Sequence, residues 1–498
     1  MKQEDHSFEF AVKAVEEGRL ADAIKILQRL TESNPSHGPA ISLFGSIAFR
    51  LRDLGRAERL LRKALQLQQE SPELLEELGR VYIEQKETAQ AVKCFERSIQ
   101  RYPDYVHAYV NLAFAFSELG DESNSQATYE NGIKRFPQHL ELWENLANFH
   151  REAGRLKQSL RYYDSIETLF GLTPQNQEAR GIAYLQDRQW DRGWHDYEAR
   201  LHFDSHKRIT LSSTFPAWTG QPIHDQHILV ICEQGIGDEV MFASCFNDII
   251  RVAGKCSIAC SRRLTSVFKR SFSDADFVPV DPDERLIDVS RIEKPIDYIV
   301  YAGSLPKYFR RTDDDFPRQP YLLGNSATIS SYREVAGRPR IGVSWWGGSL
   351  VSQMQLRSIP FEIFSGLFSL QGIDFVNLQH GHCDEQTVRE KLTPYANLKT
   401  YTDINPYVNV DAWVDLVRSL DLVVTVDNSN AHFAGALGVP TLLLLPAKPN
   451  WRWPKAATHS NWYSNVEFVR FDAKARWQGA IERVLEKLRI KSHDPKLH

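Results

Sequence analysis

Small and large apolar positions recur with a period of 34 residues through the first third of the chain. One column holds small residues, at Ala23, Ala57, Ala91, Ser125 and Ser159. Another holds large residues, at Leu27, Leu61, Phe95, Tyr129 and Tyr163. Two further columns are adjacent, with Phe10, Phe44, Leu78, Leu112 and Leu146 beside Ala11, Gly45, Gly79, Ala113 and Ala147. Columns that stay in phase over five repeats predict a repeating structural unit.

Each repeat has the pattern of a pair of helices. Small residues let the two helices approach closely, large residues fill the space between them, and Pro35, Pro103 and Pro137 end the second helix. The pattern resembles the tetratricopeptide repeat over about Glu4–Thr173, which implies a groove that binds a protein. The alternative is a spacer or an oligomerisation arm. A degenerate sixth copy, rich in aromatic residues, is expected to cap the stack or to dock it on the next domain.

From Gln226 onwards, short runs rich in β-formers alternate with helical stretches. The predicted strands are His227–Cys232, Lys255–Ala259, Asp276–Val280, Ile296–Val300, Arg340–Ser344, Asp374–Leu378, Leu398–Thr400, Leu422–Val426 and Thr441–Leu445. Such alternation predicts parallel sheets, and two αβ halves in tandem predict a cleft between them. The predicted domains are residues 1–173 (repeats), 174–225 (degenerate repeat and linker), 226–325 (first α/β half) and 326–498 (second α/β half).

The stretch Ile228–Ala243 is predicted to be a buried strand, a tight turn and the start of a helix. Gly235 and Gly237 are expected to form the turn, and Asp238 stands where the turn becomes a helix. A strand–turn–helix unit of this kind is a usual ligand site in an α/β sheet, and its carboxylate is a candidate general base. Glu233 and Glu239 are rival bases in the same turn.

A second strand–helix junction covers Leu422–Pro446. The strand is predicted to end at Asp427, and Asn428, Ser429 and Asn430 are candidate caps of a helix that carries His432 and stops at Gly438. Backbone N–H groups at such a helix start can bind phosphate. A capped helix without a ligand is the alternative interpretation. Arg357 is a candidate partner for a diphosphate, and Trp451 and Trp453 are expected either to stack on a sugar or to lie in the core.

Composition narrows the classes of function. The 498 residues carry a net charge of −4, which gives no support to general nucleic-acid binding. Six cysteines are scattered without a CxxC pair, so neither a disulfide framework nor a zinc site is predicted. No apolar run approaches the roughly 20 residues of a membrane span. A soluble cytoplasmic protein is therefore expected.

Three motifs together resemble those of the heptosyltransferase-like glycosyltransferases, in the branch that carries N-terminal tetratricopeptide repeats. They are GIGDEVMFAS, WWGG followed by RSIP, and VDNSNAHFAGALGVP followed by PNWRW. The resemblance implies a GT-B architecture of two Rossmann-like domains. It implies an inverting transfer that uses a nucleotide sugar and neither a metal nor a resident cofactor. Asn428-Ser429 stands where heptosyltransferases have Thr-Gly, so heptose is not assigned as the donor sugar.

The resemblance also implies roles for individual residues. Asp238 is the base. The nucleotide-sugar site is Gly235, Gly237, Trp346, Gly347, Arg357, Gln379, Asp427, Asn428, Ser429, Asn430 and His432. Gly348 and Gly381 belong to the same two loops as Trp346 and Gln379. The expected function is transfer of a sugar to a Ser or Thr hydroxyl of a protein such as flagellin, recruited by the repeats. The alternatives are a lipopolysaccharide or other glycan acceptor, and a repeat scaffold with an inactive transferase domain.

Overall fold

The computed structural model describes residues 2–68, 70–203, 209–281, 286–289, 292, 295–333, 337–347, 357–380, 390–455, 457–471 and 476–492. The chain divides into two compact units, Met1–Leu172 and Thr173–His498. Gly348 and Gly381 lie outside the described residues.

The first unit is an array of helices. They are α1 (Lys2–Glu16), α2 (Leu20–Ser33), α3 (Gly38–Arg50), α4 (Leu54–Leu67), α5 (Pro72–Glu84), α6 (Thr88–Arg101), α7 (Val106–Glu118), α8 (Glu122–Arg135), α9 (Leu140–Glu152) and α10 (Leu156–Phe170). The small and large columns are buried as predicted. A Cβ on Gly79 would lie 2.4 Å from the Phe95 ring, so the small column allows the close helix contact. The predicted helical repeats are confirmed, and only Phe10, in α1, departs from its column by being exposed.

The degenerate sixth repeat belongs to the second unit. Its helices are α11 (Pro174–Gln186) and α12 (Trp190–Tyr197), followed by a 3₁₀ segment at Glu198–His202. The indole N–H of Trp194 donates to the Arg310 carbonyl at 2.8 Å, and that of Trp190 donates to Asp313 at 3.0 Å. The aromatic residues of this repeat share one hydrophobic core with the first sheet. Packing of this repeat on the α/β region, one of the two roles expected for it, is observed.

The first α/β half contains a four-stranded parallel sheet in the order β4-β3-β2-β6. Its strands are β2 (Ile223–Ile231), β3 (Ala253–Ser261), β4 (Asp276–Val280) and β6 (Tyr298–Tyr301), and a separate short pair joins β1 (Thr210–Leu211) to β5 (Leu286–Ile287). The helices are α13 (Ile236–Phe242), α14 (Phe246–Val252), α15 (Thr265–Ser271) and α16 (Pro306–Phe309). Strand β2 starts inside the segment that was predicted to be linker.

The second α/β half contains a six-stranded parallel sheet in the order β12-β11-β10-β7-β8-β9. Its strands are β7 (Arg340–Ser344), β8 (Asp374–Asn377), β9 (Leu398–Lys399), β10 (Leu422–Val426), β11 (Thr441–Leu445) and β12 (Val466–Arg470). Its helices are α17 (Ser326–Arg333), α18 (Phe361–Phe364), α19 (Val410–Arg418), α20 (Ser429–Leu437) and α21 (Arg476–Ser492). The edge strand β12 is an addition to the predicted set.

The two halves are joined through α13 and α20, which pack against each other. Tyr321 and Leu322, at the end of the first half, donate their N–H groups to the Ala436 carbonyl of α20. The helices that follow the two predicted ligand turns therefore face each other. In the part of the chain described, no helix combines the length and apolar character needed to cross a membrane.

Candidate functional site

A cavity of about 490 Å³ lies at the carboxyl ends of β2, β7, β8 and β10. All twelve residues predicted for the site line it. They are Gly235, Gly237, Asp238, Trp346, Gly347, Arg357, Gln379, Asp427, Asn428, Ser429, Asn430 and His432. The structure thus brings together side chains from both α/β halves that are up to about 200 positions apart in the sequence.

The turn before α13 differs from the sequence expectation. Its left-handed residue is Gln234, with φ at 69°, and neither Gly235 nor Gly237 has positive φ. The Gln234 side chain holds this conformation because its amide N–H₂ donates to the Tyr197 hydroxyl at 3.0 Å and its amide oxygen accepts from Arg452 at 3.3 Å. Gly237 serves a different purpose, since an added Cβ would make a tight contact of 3.0 Å with the His432 ring.

The Asp238 carboxylate is paired at both oxygens. One oxygen accepts from the Gly235 N–H at 3.2 Å, and the other accepts a charge-assisted hydrogen bond from Arg452. The Arg452 guanidinium is buried, which by itself would lower its pKa, but the charges of Asp238, Tyr197 and Asp427 outweigh burial and raise it. An ion pair between partly buried groups is much less screened than one on the surface. Arg452 lies in the PNWRW motif, but the sequence assigned it no role of its own.

The two rival carboxylates of the same turn do not line the cavity. Glu233 accepts from Arg200 at 2.7 Å and from the Gly303 N–H at 3.0 Å behind the turn. Glu239 accepts from the Ser261 N–H at 2.9 Å, and burial raises the pKa of its carboxyl to about 7. Of the three candidate bases, only Asp238 is placed to meet a ligand.

Asp427 uses its two oxygens differently. Oδ1 accepts from the Trp453 indole N–H at 2.8 Å. Oδ2 faces Arg357 at 3.5 Å and is buried without a hydrogen-bond partner among the described residues. Trp453 is fully buried, so the core interpretation holds for it and the sugar-stacking one is wrong.

Three residues predicted to bind the nucleotide sugar are hydrogen-bonded to neighbouring loops of the protein. The Asn428 amide donates to the Trp346 carbonyl at 3.1 Å and accepts from the Asn430 N–H at 3.0 Å. The Gln379 oxygen accepts from the Trp346 N–H at 2.9 Å, and the Asn430 amide donates to the Leu378 carbonyl at 3.0 Å. These amides therefore fix the loops after β7, β8 and β10 relative to one another.

The start of α20 offers fewer N–H groups than the sequence suggested. The Asn430 N–H is capped by the Asn428 side chain, and the Ala431 N–H donates to the Asn428 carbonyl at 3.2 Å. Both belong to the stretch that was expected to bind phosphate. Ser429 lines the cavity at the first position of the helix.

His432 lies beneath the turn of the first half. Its Nδ1 is 2.9 Å from the Tyr463 hydroxyl, and its ring packs on Trp453 with centroids 5.1 Å apart. Burial, together with the charge of Arg452, lowers the pKa of His432 to about 3. The imidazole is therefore neutral near pH 7 and contributes no positive charge to the cavity.

Sequence reasoning missed a third arginine, Arg263, which lines the cavity from the segment after β3. Its position at the carboxyl end of a predicted strand was the available signal. Five polar atoms of the cavity residues are buried without a hydrogen-bond partner in the described chain. They are Arg263 Nε, Trp346 Nε1, His380 Nε2, Asp427 Oδ2 and Arg452 Nε. Such atoms are uncommon in proteins and are costly unless something binds them.

Family models of the tetratricopeptide repeat match residues 8–72, 48–113 and 110–176. The matches run from residue 8 to residue 176 without a gap, so this region contains tetratricopeptide repeats. Solved structures similar to part of the chain include MamA (16% identical, covering 39% of this chain and 97% of that chain, TM-score 0.29). Another is pilF of Pseudomonas aeruginosa (17% identical, covering 41% of this chain and 94% of that chain, TM-score 0.35).

A curated relative is Protein FlbA of Caulobacter vibrioides, which is 24% identical over 331 residues. The match covers 63% of this chain, whereas the repeat unit is 172 of 498 residues. The similarity therefore extends beyond the repeats into the α/β unit. The match spans about half of the relative, 54% of its length.

Proposed function

We propose that the chain is a GT-B glycosyltransferase that moves a sugar from a nucleotide-sugar donor to an acceptor hydroxyl. The observation that carries the proposal is the convergence of Asp238, Arg263, Arg357 and Arg452 on one cavity between two parallel-sheet halves. A volume of about 490 Å³ falls within the roughly 300–1,000 Å³ of small-molecule sites. Three arginines against two aspartates leave a net positive charge, which suits a diphosphate.

In the proposed reaction, the acceptor oxygen forms a bond to the anomeric carbon as the bond from that carbon to the phosphate oxygen breaks. Asp238 accepts the hydroxyl proton. The leaving diphosphate takes the bonding electrons, and Arg263, Arg357 and Arg452 stabilise the added charge. Attack opposite the leaving group inverts the anomeric centre. Asn428 and Gln379 act indirectly, by holding the loops that form the cavity.

The ion pair of Asp238 with Arg452 gives the donor a second role. While the pair holds, the Asp238 oxygen that accepts from Arg452 is not available to an acceptor hydroxyl. A donor diphosphate carries more negative charge than one carboxylate and can bind the Arg452 guanidinium bidentately. We infer that the donor recruits Arg452 and thereby frees Asp238 for the acceptor.

The test is Asp238→Asn. We expect sugar transfer to fall by about 10²–10⁴-fold, since a general base is lost. Donor affinity, measured by calorimetry with the nucleotide diphosphate, should stay the same or increase, because Arg452 loses its competing anion. The matched control is Glu239→Gln, which removes the neighbouring carboxylate outside the cavity and should keep turnover. Near-normal transfer by the Asp238→Asn variant would show that Asp238 is not the base.

We infer further that the repeats recruit the acceptor, a protein with a Ser or Thr hydroxyl, as the resemblance to repeat-bearing transferases suggests. The paired state of Asp238 also fits one alternative, a scaffold whose α/β unit binds nucleotide sugars without turnover. Donor hydrolysis measured without acceptor separates the two: a slow hydrolysis that depends on Asp238 supports an enzyme, and donor binding without any hydrolysis or transfer supports a scaffold.

A further inference from the structure

A second cavity of about 490 Å³ lies elsewhere in the α/β unit, and none of its lining residues belongs to the candidate site. It is formed by α11 and α12 on one side and by α16 and the residues after it on the other. Arg192 and His195 of its lining are exposed, so the cavity is open to solvent. The degenerate repeat thus forms one wall of a pocket.

This cavity has more positive than negative side chains. Its lining contains two aspartates and at least four basic residues, which are Arg180, Arg192, Lys307 and Arg311. Arg180 forms a buried pair with Asp196, at 2.6 and 3.3 Å, and Arg311 pairs with Asp191 at 3.0 Å.

Two cations remain. Arg192 donates to the neutral Gln189 side chain at 3.4 Å, and neither it nor Lys307 has a carboxylate partner within the described chain. Arg192 lies on α12, and Lys307 lies on α16. Opposite walls therefore each present an uncompensated positive charge.

Each of these cations lies beside a tyrosine of the lining. The Arg192 guanidinium is 5.7 Å from the Tyr184 ring centroid, and the Lys307 ammonium is 5.7 Å from that of Tyr308. Aromatic contact restricts a flexible cation. Tyr184 is buried, whereas the Tyr308 ring is partly exposed and leaves apolar surface next to Lys307. The lining therefore suits a ligand with anionic groups and apolar groups side by side. The volume far exceeds that of one inorganic anion.

We propose that this cavity binds an acidic peptide segment, with its carboxylates against Arg192 and Lys307 and an apolar side chain on the exposed part of the Tyr308 ring. Helix α12 ends at Tyr197, whose hydroxyl accepts from Gln234, and Gln234 also contacts Arg452. The peptide site is thus linked to the candidate active site through three side chains. That the segment belongs to the acceptor protein rests on the proposed function, whereas the binding itself does not.

The test uses the full chain and two short fluorescein-labelled peptides, one alternating glutamate with phenylalanine and one with glutamine in place of glutamate. Fluorescence anisotropy should show binding of the glutamate peptide and at least tenfold weaker binding of the glutamine peptide. The double variant Arg192→Ala, Lys307→Ala should weaken the glutamate peptide by about tenfold or more, because two charged hydrogen bonds are lost. Circular dichroism checks that the variant is folded.

The control is Lys269→Ala with Lys391→Ala, two exposed lysines outside both cavities, which lowers the net charge equally. It should bind the glutamate peptide as the unmodified chain does. Equal binding of both peptides, or equal losses in the two double variants, overturns the proposal. Complete displacement of the peptide by inorganic phosphate at matched ionic strength would show a simple anion site and also overturns it. Loss of donor binding in no way affects this readout, so the two proposals fail separately.

Discussion

At Gly237 the first α/β half is in close contact with the second, because an added Cβ would lie 3.0 Å from the His432 ring. The imidazole cannot move aside easily, since Tyr463 holds its Nδ1 and Trp453 packs on its face. Glycine at this position therefore reflects contact between elements and not the geometry of the turn.

Gly237→Ala should destabilise the protein by about 1–3 kcal/mol, since the added methyl group overpacks a rigid contact. Helix propensity alone would make the alanine variant more stable by about 1 kcal/mol, so a loss of stability would point to the contact with His432. The control is Gly235→Ala, whose Cβ would make only an ordinary contact at 3.5 Å. Urea denaturation of both variants checks this, and equal effects would contradict it.

Glu239 should make stability depend on pH. The pKa of its buried carboxyl is about 7, above the ordinary 4.5. The stability that this group contributes is therefore fully present below about pH 4.5 and is lost as the pH rises through about 7. The loss is on the order of 3 kcal/mol.

Glu239→Gln mimics the protonated form and can still accept from the Ser261 N–H. We expect the variant to become more stable than the unmodified chain as the pH rises from about 5 to about 8, when unfolding free energies are compared. Parallel pH profiles would show that the carboxyl does not titrate in this range.

The sequence located the candidate site residues better than it explained them. Strand ends and turn chemistry are local, so Asp238 and Asp427 could be placed at sheet edges from the pattern alone. The bond from Arg452 to Asp238 joins positions 214 residues apart and has no local signal. The same holds for Gln234, whose positive φ is fixed by Tyr197 and Arg452, side chains distant in sequence.

At the scale of elements, α13 and α20 give the cavity its two opposed helix starts. The sequence predicted both junctions because a buried strand, a polar turn and a helix follow one another in each. It also predicted the end of α20 at Gly438, which has φ of 76°. It did not predict that Asn428 would occupy the N–H groups of Asn430 and Ala431, since that depends on the orientation of one side chain.

The degenerate repeat was expected either to cap the stack or to dock it on the next domain, and the sequence did not decide between these two roles. Its helical period continues that of the array, yet its large aromatic residues pack on the α/β region. Arg200, which follows α12, is fully buried and donates to Glu233 and Ser304. Periodicity reports local structure, whereas the partner of each helix depends on contacts across the whole unit.

At the scale of the molecule, the position of the unit boundary can be tested by truncation. A fragment that begins at Thr173 should fold and bind the nucleotide diphosphate as the full chain does, because its core is intact. Under the proposed function it should no longer modify a protein acceptor. Size-exclusion chromatography, thermal unfolding and calorimetry measure these properties.

A second fragment, beginning at residue 209, provides the contrast. It lacks Trp190, Trp194 and Arg200, so it exposes apolar core and leaves Glu233 without its buried partner. We expect this fragment to aggregate or to unfold at a much lower temperature. Equal behaviour of the two fragments would show that α11 and α12 are dispensable.

The docking of α11 and α12 has a consequence for how such chains diversify. A recombination event that exchanges one repeat array for another preserves the core of the α/β unit only if its crossover falls near Leu172. A crossover after the last helical hairpin would remove residues that belong to the hydrophobic core of the α/β unit. Chimaeras designed to bind new protein partners should therefore be joined before the sixth hairpin, because this hairpin is part of the α/β unit.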